Sequence, residues 1–569
     1  MGYKKWINAC DNQKDLLERL MRKYSRPVAI FLAARGIEEE DVDNFLHPKL
    51  GNLSDPYRFP GIEQAVARIW QVIGEGGKIL VHGDYDTDGV TGTALITTVL
   101  RKNGAHVTPF IPHRFEDGYG FTPDSLNKAI AKAGGNCQML ITVDCGITSN
   151  DAVAAANELG LEVIITDHHE PSAELPAAMA IFNPKICDDL KDLHLLAGAG
   201  VAFKLCHAFI KYGRANNSGG FSTDLKTFLD LATLGTVADI VPLTGENRVI
   251  VKHGVEVLKK QLRPGIRSLF EIAGLKGKFK PSDITFRLAP RLNAAGRVGD
   301  ATEALNLLLA DSIVDAFQSA RQLDEYNKIR QGKELEIFNE ATKQIKEHID
   351  LENRRSILVA GHNWHQGVIG IVASRLAREY NRPAIVLTIM NGTAYGSGRS
   401  VKNFNLVETL RSCSDLLERF GGHPMAVGVG MLSENIDKFT EAFEAVTRQH
   451  FTAADMEITV DYDGEVELDD LNDQFFAALE QLMPFGHGNS KPIFRFNDME
   501  IVKCYPVGKV HCRGVMKSKS NHSINFIAFN RSVDEIPIGM FDVLATPELN
   551  DYFNDSRPQL HIHELRLVY

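Results

Sequence analysis

Three aspartates stand on alternate positions in VHGDYDTDG, Asp84, Asp86 and Asp88, with His82 two residues ahead of the first. Carboxylates this close repel one another unless a cation sits among them. More acids and histidines close apolar runs downstream: Asp144 follows QMLITV, and Asp167, His168 and His169 follow LEVIIT. A mixed carboxylate and imidazole set suits Mn2+ or Mg2+ better than a structural zinc. Two such ions about 3.5–4 Å apart clamp a phosphoryl group and activate water. The competing reading is a D-x-D-x-D-G calcium loop, whose twelfth position must be a bidentate glutamate. Counted from Asp84 that position is Leu95, and a strand-like segment, not a helix, precedes it.

The elements around these residues set where they can meet. KILV, HVTPF, QMLITV and LEVIIT are short apolar runs. Between them lie helical patterns: GVTGTALITTVLRKNGA, PDSLNKAIAKAG with Thr122 or Asp124 as cap, and SNDAVAAANELG closed by Gly160. Strand–helix alternation with continuous apolar strands predicts an α/β fold built on a parallel, doubly wound sheet. Sites in such sheets form outside the carboxyl ends of the strands, so three strands deliver acids and histidines to one edge.

The rest of the chain divides by texture. Residues 1–60 read as a helical and loop segment, and 61–310 as the domain carrying the acidic motifs. Residues 311–352 read as a linking helix (Ile313, Phe317, Leu323, Ile329, Phe338, Ile345), with Gly332 as a place where it could break. A second α/β domain is expected over 353–455, and short alternating segments predict a small β-barrel over 456–569.

The net charge of −11 argues against a uniformly basic nucleic-acid binder, but ligand carboxylates count toward it although a bound metal offsets them. The 8 cysteines include no C-x-x-C pair and read as reduced thiols of a cytoplasmic protein. No secretory leader or membrane-spanning run is expected.

In chain order, HGDYDTDG, VDCG, DHH and TVADIVPL resemble the four motifs of the DHH phosphoesterase superfamily, and GGHPMAVGVG resembles its companion DHHA1-type domain. LAGAGVAFKL and RLNAAGR, with the overall length, resemble the branch that degrades single-stranded DNA in recombination and repair. The resemblance implies two Mn2+ or Mg2+ ions held by His82, Asp84, Asp86, Asp144, His168 and Asp239. It places His169 at the scissile phosphate, with Asp88 supporting the loop and Asp167 orienting a histidine. It also implies 5′-to-3′ exonuclease action releasing mononucleotides, through a channel between the two α/β domains too narrow for a duplex. Arg114, Arg291, Arg297, Ser397, Arg399 and His423 are candidate grips for substrate phosphate, since arginine forks match phosphate oxygens.

In the barrel, Lys509, Arg513, Lys517 and Lys519 form a stretch with no acid between them, flanked by Tyr505 and Phe526. Basic residues and aromatics together are the footprint of an oligonucleotide-binding, or OB, fold. The expected protein is a monomer working beside a helicase and a single-strand-binding protein. Two other readings remain: a DHH phosphodiesterase or pyrophosphatase on small substrates, and a non-catalytic single-strand-binding scaffold.

Overall fold

A computed structural model describes residues 4–118, 120–216, 223–277, 279–536, 539–550 and 557–568. Its first sheet is all-parallel. The strands run in the order His106–Phe110, Lys78–Gly83, Cys137–Val143, Glu162–Thr166, Ala180–Phe182. Their apolar runs are continuous because both faces are covered. Ile79, Val81, Ile141 and Ile164 pack on one side with helices Thr87–Lys102 and Gly198–Asn216. Leu80, Leu140 and Val163 pack on the other with Leu126, Ala129 and Val153. The winding reverses at Lys78–Gly83, which has the second strand on one side and the third on the other. A crevice opens beyond the carboxyl end of such a strand, and the first aspartate lies there.

Helix Ile313–His348 is unbroken over 36 residues, with Gly332 inside it. A helix of that length spans about 55 Å. Ala316, Ala320 and Leu323 bury in the first core, while Ile337, Phe338, Ala341 and Ile345 bury in the second. The helix therefore belongs to both units and fixes one against the other. The second sheet runs Arg419–His423, Ala426–Leu432, Thr393–Arg399, Ala384–Met390, Ile357–His362, with only the last pair parallel.

Five strands close the C-terminal barrel: Phe494–Val507, His511–Lys517, Ser523–Ala528, Met540–Asn550 and Arg557–Leu567. The first pairs with both the second and the fourth, and the fifth pairs with both the third and the fourth. The N-terminal segment packs into this barrel unit. Leu16, Leu20, Phe31 and Val42 share a core with Phe475, Phe494 and Phe541. Lys5–Asn8 pairs in parallel with Thr459–Tyr462.

This unit is pinned to the first by Arg248, which is buried against the Phe45 ring with its guanidinium carbon 3.8 Å from the centroid. Its Nε donates to Phe45 O (2.8 Å), and its Nη2 to Gln481 O (3.1 Å), Leu482 O (3.1 Å) and Met483 O (3.0 Å). Those last carbonyls end helix Asp473–Gln481, where no further turn supplies donors. Among the described residues no helix is long and apolar enough to cross a membrane.

Candidate metal centre and substrate cleft

The aspartate turn is held from three sides. Asp86 caps helix Thr87–Lys102, its Oδ1 accepting from Asp88 N (2.9 Å) and Gly89 N (3.1 Å). Asp88 turns inward, where its two oxygens accept from Gly198 N (2.6 Å) and Ala199 N (2.9 Å) at the start of helix Gly198–Asn216. Asn293 binds Thr87 N (2.8 Å) and Thr87 Oγ1 (2.9 Å) through one carbonyl oxygen. Asp144 follows its strand with φ +60°, in the left-handed region. A Cβ at Gly198 would lie 2.6 Å from Asp144 Oδ1, so only glycine lets the helix start approach that carboxylate.

Among the described residues donor atoms converge in three overlapping groups: Asp84, Asp86 and Asp144; Asp144, His168 and His169; Asp88, His168 and Asp239. His168 Nε2 lies 3.1 Å from Asp144 Oδ1 and 3.7 Å from Asp239 Oδ2. Asp167 organises the histidine turn. Its Oδ1 accepts from the amides of His168 and His169 and from His169 Nδ1 (2.8 Å), and its Oδ2 accepts from Ile147 N.

The electrostatics call for a cation. Burial, and then the neighbouring carboxylates, push Asp84 up to about 8, Asp239 to about 9, and Asp144 well above its ordinary value. Burial holds His168 down at about 4, the neutral form a metal takes. Burial opposes a charged His169, but the Asp167 hydrogen bond and the surrounding acids outweigh it and raise His169 to about 9. Among the described residues Asp84 Oδ1 is buried with no hydrogen-bond partner, and Asp144 Oδ1 makes no well-aligned hydrogen bond although His168 Nε2 is 3.1 Å away. Unsatisfied carboxylate oxygens, a neutral imidazole and further carboxylates fit a hard divalent ion.

A pH dependence follows. A carboxylate whose folded pKa lies above its unfolded value of 3.8 removes stability as pH rises between the two. Metal-stripped protein is therefore expected to lose thermal stability from about pH 4 toward pH 9. Mn2+ at about a hundredfold excess over its Kd returns about 2.7 kcal/mol. Thermal melts in EDTA and in Mn2+ across this range check both signs. A melting curve indifferent to Mn2+ at pH 8 would sink the metal assignment.

Not every expected residue reaches the centre. His82 is fully buried between Phe110 and Phe121, with ring centroids 5.3 and 5.0 Å away, and its Nε2 is 3.0 Å from Ser125 Oγ. Burial lowers it to about 4. It packs under the sheet and stands outside all three donor groups.

The phosphate grips divide in the same way. Arg114 lies 5.0 Å over the Tyr85 ring, and its charge acts on Asp84, Arg297 and Arg399. Arg297 Nη1 donates to Gly367 O (3.2 Å), and Arg399 Nη1 to Ser397 Oγ (2.8 Å). These four residues gather where the two α/β units meet. Burial, then Arg114, lowers Arg297 to about 10, and the same causes lower Arg399, so the cluster favours an anion. Arg291 is spent elsewhere, its Nε on Asp324 (2.9 Å) of the long helix and its Nη1 on Arg287 O. His423 ends strand Arg419–His423 in the second unit, near Glu170.

In the barrel, Lys517 pairs with Glu500 (3.1 Å) and Lys519 with Asp498 (2.7 Å). Phe526 is a core residue, whereas Tyr505 is exposed opposite Arg513. The exposed basic face therefore narrows to Lys509, Arg513 and Tyr505. Asn293, Gly198 and Lys185 were not singled out by the sequence reading. The first two were signalled only by lying inside RLNAAGR and LAGAGVAFKL.

Comparison with known proteins agrees with this layout. The chain matches the models of the DHH family N-terminal domain at residues 78–236, the DHHA1 domain at 354–449 and the RecJ OB domain at 462–564. The single-stranded-DNA-specific exonuclease RecJ of Bacillus subtilis is 36% identical over 564 residues, which is 97% of this chain and 69% of that one. The protein of that name from Dickeya dadantii is 37% identical, over 81% of this chain and 82% of its own. The crystal structure of RecJ from Thermus thermophilus in complex with Mn2+ superposes with a TM-score of 0.82 at 29% identity, covering 99% of this chain and 79% of that one. The same protein in complex with Mg2+ gives a TM-score of 0.76 at 28% identity, over 99% of this chain and 78% of that one. The order of the motifs, the closed barrel and the 36% identity over 97% of the chain lead to one conclusion: this chain belongs to the RecJ family.

Proposed function

We propose that the protein is a single-stranded-DNA-specific exonuclease that hydrolyses phosphodiester bonds 5′ to 3′ with two Mn2+ or Mg2+ ions and releases mononucleotides. The observation that carries this is the pairing of two features. Donor groups sharing Asp144 and His168 stand at the crevice of the first sheet, and the arginine cluster Arg114, Arg297 and Arg399 stands beside them at the junction of the α/β units. Asp84, Asp86, Asp144, His168 and Asp239 would hold the ions, and His82 stays outside. Bound metal supplies positive charge for the phosphate oxygens and lowers the pKa of the attacking water.

The remaining steps belong to the chain's own residues. Asp88 and Asn293 fix the aspartate turn. Asp167 takes the Nδ1 proton side of His169 and leaves the other ring nitrogen for the scissile phosphate. The arginines and Ser397 take the terminal 5′ phosphate, and His423 closes on the backbone from the second unit. Residues 61–310 and 353–455 form the two walls of a channel that admits one strand. The barrel, with Lys509, Arg513 and Tyr505, feeds that strand in. A helicase and a single-strand-binding protein would supply it.

End-labelled single-stranded and duplex DNA in Mn2+, Mg2+ or EDTA tests the reading, with an Asp84→Ala, Asp86→Ala double variant alongside. Metal-dependent mononucleotides from the 5′ end of single strands alone, and none from the folded variant, are expected. Cleavage of pyrophosphate or dinucleotides with DNA left intact assigns the site to small substrates. DNA bound but uncut assigns the scaffold role.

A further inference from the structure

Arg114 stands on the Asp84 side of the acidic centre, where its charge acts on that carboxylate. The other flank is formed by His168 and Asp239, and a lysine stands there. Lys185 Nζ lies 2.9 Å from Glu170 Oε1, and its charge acts on both His168 and Asp239.

Its position is fixed by one buried amide. Asn183 accepts from Lys185 N through Oδ1 (2.9 Å) and donates from Nδ2 to His169 O (2.8 Å). The lysine and the catalytic histidine turn are thus set by the same side chain. The ion pair, in contrast, is loosely committed. The Glu170 side chain is 66% exposed and that of Lys185 23%, and ion pairs open to water are weak. His423 of the second unit also lies near Glu170.

A nucleic-acid strand repeats its phosphates. When one lies at the metal donors and the terminal one at the arginines, the following phosphate must pass the opposite flank. Resting on the exonuclease reading, we infer that Lys185 binds the backbone phosphate on the His168–Asp239 flank, and that the Glu170 carboxylate holds that phosphate's place until DNA arrives. DNA entry exchanges one anion for another on Lys185.

The test is binding of a 5′-phosphorylated, phosphorothioate-linked oligothymidylate in Mn2+ across a KCl series. Each phosphate contact to a single strand adds about 0.7 to the slope of log Kd against log salt. Lys185→Ala is expected to weaken binding and lower that slope by about 0.7, Lys185→Arg to keep it, and Glu170→Gln to tighten binding. An Mn2+-induced rise in melting temperature should persist in all three, since none is a metal donor. An unchanged slope in Lys185→Ala, or Glu170→Gln weakening binding as much as Lys185→Ala, overturns the inference and makes the pair a structural one. Wild-type protein that neither binds nor cuts single strands removes the exonuclease reading itself. Wild type active on single strands with Lys185→Ala indistinguishable from it removes only the lysine's role.

Discussion

Asp144→Asn is expected to give a folded protein that has lost nuclease activity by about a hundred- to a thousandfold, the scale set by removing a charge-stabilising group from a catalytic site. Asp144 belongs to two of the three donor groups, so one substitution disturbs both. It is also the carboxylate whose charge burial and the acids Asp88, Asp86, Asp239 and Asp84 oppose most plainly. Asparagine keeps the shape, removes the charge and weakens metal binding. The same variant should therefore melt higher than wild type in EDTA and gain less from Mn2+. Activity on labelled single strands and paired melts with and without metal check this. A variant that remains active, or melts lower in EDTA, would show that Asp144 stabilises the fold rather than serving a cation.

The second large effect is on stability. Arg248→Ala is expected to cost about 2–4 kcal/mol, as loss of a buried, multiply bonded side chain and its packing does. The guanidinium reaches carbonyls of Phe45, Gln481, Leu482 and Met483 at once, and alanine leaves a cavity beside the Phe45 ring. Asn489 also donates to Leu482 O, and Lys252 to Met483 O, so the helix end is not stripped of every donor. Arg248→Lys should recover little, because a single ammonium cannot reproduce the fork. Urea unfolding reads the loss, and limited proteolysis should nick the barrel unit first. Unchanged unfolding in Arg248→Ala would mean that apolar contacts alone hold the units together.

The sheet and most of its acidic centre could be read from residue order because parallel strands buried on both faces are continuous apolar runs, and the residue after each run must lie at the carboxyl edge. That logic placed Asp84, Asp144 and Asp167 where they stand. It failed for His82, which is still inside its strand. Alternation puts it on the face of Leu80, toward Phe110 and Phe121 rather than toward the edge.

The arginines of RLNAAGR, six residues apart, point a third of a turn from each other on one helix. Arg291 therefore meets Asp324 of the long helix, and Arg297 the second unit. The basic stretch of the barrel looked uncompensated because its acids lie on the neighbouring strand, where Glu500 stands opposite Lys517 in register. Cross-strand partners leave no mark in local sequence. Gly332 lies unbroken within its helix because packing at both ends outweighs the modest propensity penalty of one glycine.

The pairing of Lys5–Asn8 with Thr459–Tyr462 also bears on how the protein is made. The first helices emerge from the ribosome with apolar faces meant for Phe475, Phe494 and Phe541, residues not yet translated. At about 5–20 residues per second that wait lasts roughly 25–95 seconds. During it the two central units can complete their own cores while the leading segment stays unsatisfied and open to a holding chaperone. Closure of this unit then joins two segments that lie far apart in the chain.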